Sequence, residues 1–285
     1  MRYLDPKNDL TFKKVFGEHP HLLISFLNAM LPLEGREIES IEYLSPEMIP
    51  ELPGMKHSIV DVRCTEKITG RQFFVEMQMY WTNAFKQRML FNASKAYVQQ
   101  VKKGQQYNSL QPVYGLSLVN EDFETEKEFE LTFYHHYKMV HVENQQKNID
   151  GLELVFIELP KFQTQNFTER KLRYLWLKYL TLISEGTKDI PQELQENAEI
   201  SEAISYLQIS SFSEEELAYY DKYWDSVRIE KTALEEKFAK GKTDEKHETA
   251  FRGFEKGYSD EIISDLNGLT TSEVKILRQE WEKQK

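Results

Sequence analysis

Ser58-Ile59-Val60-Asp61-Val62-Arg63-Cys64 and Gln72-Phe73-Phe74-Val75-Glu76-Met77-Gln78-Met79-Tyr80 decide the reading of this chain. The first is β-branched and alternating, the second is aromatic-rich, and Thr69-Gly70 between them is turn material. Two strands of a hairpin are expected, with Asp61 on the first and Glu76 and Gln78 on the second. Side chains alternate along a strand, so Glu76 and Gln78 share a face. Closure on Ile68-Thr69 sets Asp61 opposite Glu76, and closure on Thr69-Gly70 sets it opposite Gln78. Either register brings two carboxylates within about 5–8 Å on one surface. Two carboxylates that close repel unless a cation lies between them, and a divalent metal held by oxygen ligands meets that need. The alternative is the ordinary acidic face of a solvent-exposed hairpin. The apolar neighbours Val60, Val62, Val75 and Met77 argue for strands near the core.

Working outward, Thr82 to Gln106 carries Lys86, Arg88, Lys95, Lys102 and Lys103 and no acid. Leu90, Ala93, Tyr97 and Val101 recur at helical spacing, and Gly104 supplies a stop. Such a helix beside a carboxylate pair suits an anionic polymer and a phosphate under attack, although a solvated basic face has the same composition. Around this centre, residues 1–31 read as helical, Glu37 to Leu44 as a first strand, and Pro46, Pro50 and Pro53 as loop. Val113–Val119, Glu128–Val140 and Leu152–Leu159 read as strands. Helix signals then replace strand signals. Thr168 caps Arg170–Ser184, Pro191 opens another helix, and Ser213 with Glu216 forms a capping box.

These segments, in order, resemble the PD-(D/E)XK nuclease superfamily, in its transposase-like branch of recombination-promoting nucleases. The likeness covers about residues 1–180. It rests on Asn8-Asp9-Leu10-Thr11-Phe12-Lys13-Lys14-Val15-Phe16, Phe26–Leu31, Asp61, Glu76-Met77-Gln78, Phe85–Arg88 with Tyr97, Tyr107–Leu118 and Ile157–Phe162. The resemblance implies an α/β fold: a restriction-endonuclease-like αβββαβ core with a mostly α-helical C-terminal extension. It implies a Mg2+- or Mn2+-dependent endodeoxyribonuclease linked to recombination or mobile elements. Asp61, Glu76 and the Met77 backbone carbonyl would hold the metal, with Asp9 as a further acidic ligand or merely a residue at a helix start. The superfamily places Lys where this chain has Gln78, which can position a water but carries no charge. Arg88 or Lys95 is expected to border the acid pair and supply that charge. Lys86, Arg88, Lys95, Lys102 and Lys103 would contact DNA. The alternative from another class is a non-catalytic descendant that keeps the fold for binding DNA or protein.

At 285 residues, with 40% apolar and 13% aromatic residues, the chain can bury a large core and is not disordered. Its single cysteine excludes an internal disulfide and a thiolate zinc cluster, and favours a reducing, cytoplasmic setting. Neither a membrane span nor a signal peptide is read. The net charge of −11 argues against a protein that coats DNA non-specifically. Twelve acids between Ser184 and Glu230 face only Lys188, Lys222 and Arg228, so that region is expected to lie away from the acid pair or to gate it. The domains expected are 1–165, the nuclease-like core, and 166–285, a helical region. The latter ends in a helix-turn-helix-like element at about 251–285, where Lys275, Arg278 and Lys283 are offset by Glu273, Glu280 and Glu282. That element serves either DNA or self-association. His135, His136 and His141 are expected on a sheet surface, and His57 is the histidine nearest Asp61 in sequence.

Overall fold

The expected hairpin forms the middle of a six-stranded sheet. The computed structural model describes residues 2–33, 35–48, 57–101, 104–163 and 171–283. In chain order come α1 (Asp9–Glu18), α2 (Pro20–Met30), β1 (Ile41–Tyr43), β2 (Glu47–Met48), β3 (Ser58–Ile59), β4 (Val62–Glu66), β5 (Gln72–Gln78), α3 (Phe85–Val98), β6 (Val113–Val119), β7 (Tyr134–His141) and β8 (Asn144–Glu158). The helices α4 (Lys171–Leu182), α5 (Gln192–Gln195), α6 (Ala198–Ser205), α7 (Glu214–Glu255), α8 (Asp260–Asn267) and α9 (Thr271–Lys283) follow. The large sheet runs β1-β4-β5-β6-β8-β7, with β5–β6 and β6–β8 parallel and the remaining pairs antiparallel. This is the mixed α/β arrangement expected, with its helical C-terminal part.

Ser58–Cys64 is not one strand. Ser58-Ile59 pairs with Glu47-Met48 in a separate ladder, the chain bends at Asp61, and β4 begins at Val62. The segment changes partners there, so Asp61 sits at the break rather than inside a ladder. The hairpin itself closes on Ile68-Thr69, because Val62 faces Val75 and Thr65 faces Gln72. Gly70, at φ 77°, occupies the left-handed position of the turn. Arg71 clamps the closure by donating to both oxygens of buried Glu66, at 2.8 and 3.0 Å. Elsewhere the element bounds move. The strand expected from Glu128 starts at Tyr134 after a short 3-10 turn, and β8 reaches back to Asn144 to complete a hairpin with β7. The basic helix ends at Val98.

Alternation assigns the two faces. Val62, Cys64, Phe73, Val75, Met77, Tyr114, Leu116 and Leu118 pack in one core with α1, α2, α4, α5 and α6. Phe74, Val113, Val119, Leu154 and Phe156 pack on the other face against Phe85, Met89, Ala93 and Ala96 of α3. Glu76 and Gln78 share the parity of Phe74, which turns them toward α3. Gly115 is required on that face: a Cβ there would meet the Phe74 ring at 2.6 Å.

A boundary at 165/166 is not where the compact units divide; they divide between Trp224 and Asp225. Trp176, Leu180, Leu194, Ile200 and Leu207 are buried in the first core, and Leu4 N–H donates to Leu207 O at 2.8 Å. The helices α4, α5 and α6 therefore belong to the sheet's own packing. The capping box forms: Ser213 N–H donates to Glu216 at 2.7 Å, and Glu216 N–H to Ser213 Oγ at 3.2 Å. Thr168 lies outside the described residues.

The second unit holds the rest of α7 with α8 and α9 around Ala250, Phe254, Ile263, Val274 and Leu277. Gly268, at φ 64°, ends α8 as expected of a left-handed cap. Arg278 is used internally: it donates to Asp260 at 2.6 Å and lies over Phe254. Among the described residues no helix is long and apolar enough to cross a membrane.

Candidate active site

Continuing the β4–β5 register one step past Val62–Val75 sets Asp61 beside Glu76. Asp61 takes over from the ladder at this point. Its Oδ2 accepts the Met77 N–H at 2.6 Å, satisfying an edge donor that β4 no longer reaches. Glu76 is buried, at 6% exposure, so it is no solvent-facing strand residue. Its neighbour on β6 is Ser117, also fully buried. Arg88, from the first turns of α3, donates to Gln78 Oε1 at 2.6 Å and stands 4.0 Å from Glu76 Oε2. Gln78 Nε2 donates to Tyr80 O at 2.8 Å, so both ends of its amide are oriented.

The electrostatics of the pair are unfavourable by construction. Burial, and then the charge of Asp61, hold the Glu76 carboxyl well above the ordinary carboxylate range; Arg88 and Lys13 oppose this without cancelling it. Burial likewise raises Asp61, with the Met77 N–H the strongest opposing influence and the Asp9 charge adding to the rise. Charges from α1 (Asp9, Lys13) and from α3 (Arg88) thus act on one site at the β4–β5 end of the sheet.

Asp9 does not join the acids as a free ligand. Its Oδ1 pairs with Lys13 at 2.7 Å and its Oδ2 accepts from Tyr219 at 3.0 Å. Among the described residues no three His, Cys, Asp or Glu side chains cluster closely enough to hold a metal ion. The donor set at hand is two hard carboxylates kept electrostatically short of positive charge. Ser117 Oγ and both amide atoms of Asn92, buried on the sheet-facing side of α3, have no hydrogen-bond partner. This chemistry fits a small oxygen-loving divalent ion that keeps some of its own water.

The basic residues of α3 do not form one stripe. Lys86 pairs with Glu124 and lies over the Phe123 ring at 5.0 Å. Lys95 donates to the Met48 carbonyl on β2. It is aligned in angle with Arg88, but seven residues carry it about 10 Å along the helix axis. Lys102 and Lys103 lie outside the described residues. His57 is 4.0 Å from Glu47. His135 is a correction: it is buried against Glu158 at 2.7 Å, where Lys161 and two backbone N–H groups also donate. His136 pairs with Glu153 at 2.7 Å.

Sequence reading missed Lys13 and Tyr219. Tyr219 lies 210 residues from Asp9, a separation that no periodicity reveals. The acidic stretch is not wholly set apart either, since Glu215 and Glu216 line a cavity with Lys13 and Lys14.

Compared with known proteins, residues 6–237 match the family model described as PD-(D/E)XK nuclease family transposase. No curated protein and no solved structure gives a match.

Proposed function

The chain belongs to the PD-(D/E)XK nuclease family transposases, and from that premise we propose that it is a divalent-metal-dependent nuclease cutting DNA at the Asp61/Glu76 site. The observation that carries the reading is the acid pair itself, buried Glu76 with half-buried Asp61 beside it, the two under-neutralised. Asp61, Glu76 and the Met77 carbonyl would hold Mg2+ or Mn2+, which when bound supplies Lewis-acid polarisation of the phosphate and an acidified water. Gln78 retains an N–H and a lone pair beyond its bonds to Tyr80 and Arg88, enough to orient that water. Arg88 brings positive charge to the same edge, where a phosphorane-like transition state gathers negative charge. Burial of Glu76 keeps bulk water from competing for the pair.

The replacement of lysine by Gln78 favours the second reading, a non-catalytic member that binds DNA or protein. Nicking of supercoiled plasmid separates the two. The nuclease reading expects cutting in Mg2+ or Mn2+, none in EDTA, and none by Asp61→Ala. A purified, folded wild type inert in both metals favours the binding protein.

A further inference from the structure

Gln78 leaves the site without the cation its position could have carried, and α1 offers one from the other side. Lys13 is an interior residue of α1, and its side chain is 45% exposed. It forms an ion pair at 2.7 Å with Asp9, one helical turn earlier. The other Asp9 oxygen accepts the Tyr219 hydroxyl at 3.0 Å, delivered by the second turn of α7. An open cavity of about 440 Å³ lies here, with Lys13 and Lys14 set among the carboxylates of Asp9, Glu18, Glu215 and Glu216 and with Tyr219 at its border; it has room for a phosphodiester. Lys14 is not available there in the same way: it pairs with Glu216 at 3.2 Å and donates to the Ser211 carbonyl. α1 packs against β4, the strand that begins one residue after Asp61, with Phe12 and Phe16 in the same core as Val62; from there the Lys13 charge is felt at both Asp61 and Glu76.

We propose that Lys13 is the catalytic cation of this site, contacting the phosphate under attack, and that Asp9 and Tyr219 are positioning residues that hold its ammonium toward the acid pair. The proposal rests on the nuclease reading and extends it. It gives Asp9 a role other than metal ligand, and it makes the start of α7 part of the active site. A long flexible lysine tethered by a carboxylate, itself tethered by a hydroxyl from a distant helix, has fewer orientations to lose when the phosphate arrives. Lys13 and Arg88 would then flank the acids from opposite helices.

Single-turnover plasmid cleavage by the full chain tests this. Lys13→Ala should lower the rate by about 10²- to 10³-fold, the cost of removing one electrostatic donor. Lys13→Arg should retain most activity, and added ethylamine should restore part of the Lys13→Ala rate in a saturable way. Asp9→Asn and Tyr219→Phe should slow cleavage several-fold while leaving the Mn2+ concentration for half-maximal cutting unchanged. Where Lys13→Ala lowers the melting temperature, Lys13→Gln, of similar length, carries the comparison. A Lys13→Ala protein that cuts at the wild-type rate overturns the assignment alone. So does an Asp9→Asn protein whose Mn2+ requirement rises sharply, which would make Asp9 a ligand. A wild type that cuts nothing overturns the nuclease reading, and this one with it.

Discussion

Glu76 and Glu158 are buried carboxylates on the two strands that flank β6, and their surroundings are opposite. Glu158 is fully enclosed, and its oxygens accept from His135 at 2.7 Å, Lys161 at 2.9 Å and the backbone of Phe123 at 2.7 Å. Glu76 has Arg88 at 4.0 Å and a second acid alongside. A buried charge costs several kcal/mol unless paired and hydrogen-bonded. The protein meets that cost inside itself at Glu158 and leaves it open at Glu76. Two buried carboxylates are thus distinguished by their donors: one joins the β7–β8 edge to the loop before it, the other is held ready for a cation from outside.

The largest effect expected from this contrast is on chemistry. Asp61→Asn or Glu76→Gln should reduce metal-dependent cleavage by about 10³-fold or more. Cleavage by Glu158→Gln, wherever that protein stays folded, should remain near wild type. An assay in which Glu158→Gln fails as badly as Glu76→Gln, at equal folded fraction, would break the contrast.

Stability should divide the other way. Glu158→Ala strands Lys161 and His135 in the interior and should cost about 3–5 kcal/mol. Glu76→Gln removes one of two repelling charges and should change stability by no more than about 1 kcal/mol, in the stabilising direction without metal. Urea unfolding of both variants in EDTA reads the difference directly.

The pH dependence sharpens the same point. Asp61 and Glu76 have folded-state proton affinities above their unfolded values, so the folded protein binds more protons through that window. Their contribution to stability is present below the ordinary carboxylate range, about pH 4, and is lost as pH rises through the raised values. In EDTA the melting temperature should therefore drift down as pH increases across this window, and Glu76→Gln should flatten the drift. Metal affinity should run oppositely, rising with pH as the ligands shed protons. A wild-type profile as flat as that of Glu76→Gln would show that the pair is not strained.

The smallest effect concerns Arg88, the α3 cation 4.0 Å from Glu76. Arg88→Ala should slow cleavage about tenfold, whereas Lys95→Ala, directed at Met48, should leave the rate unchanged. Equal losses from both would mean that α3 acts through its overall charge.

Much of this was legible in the sequence because it follows from local rules. Alternation in Val62–Cys64 and Phe73–Gln78 determined which side chains share a face and narrowed the hairpin to two closures; the fold chose Ile68-Thr69, which brings Asp61 to Glu76. The Ser213–Glu216 capping box, the Gly268 stop and the helices at Phe85 and Lys171 likewise depend on neighbours a few residues apart. Only the tertiary structure decided where charge sits relative to those elements. Arg88 and Lys95 look equivalent on a helical wheel, yet axial rise sends one to the acids and the other to β2. Glu76 reads as a polar strand residue until α3 and β6 cover it, and burial is what raises its proton affinity. Asp9 meets Tyr219, and His135 meets Glu158, through packing of elements with no shared periodicity. Local backbone preference repeats along a chain and can be read there; electrostatics depends on distance in space, and distance in space exists only once the chain has folded.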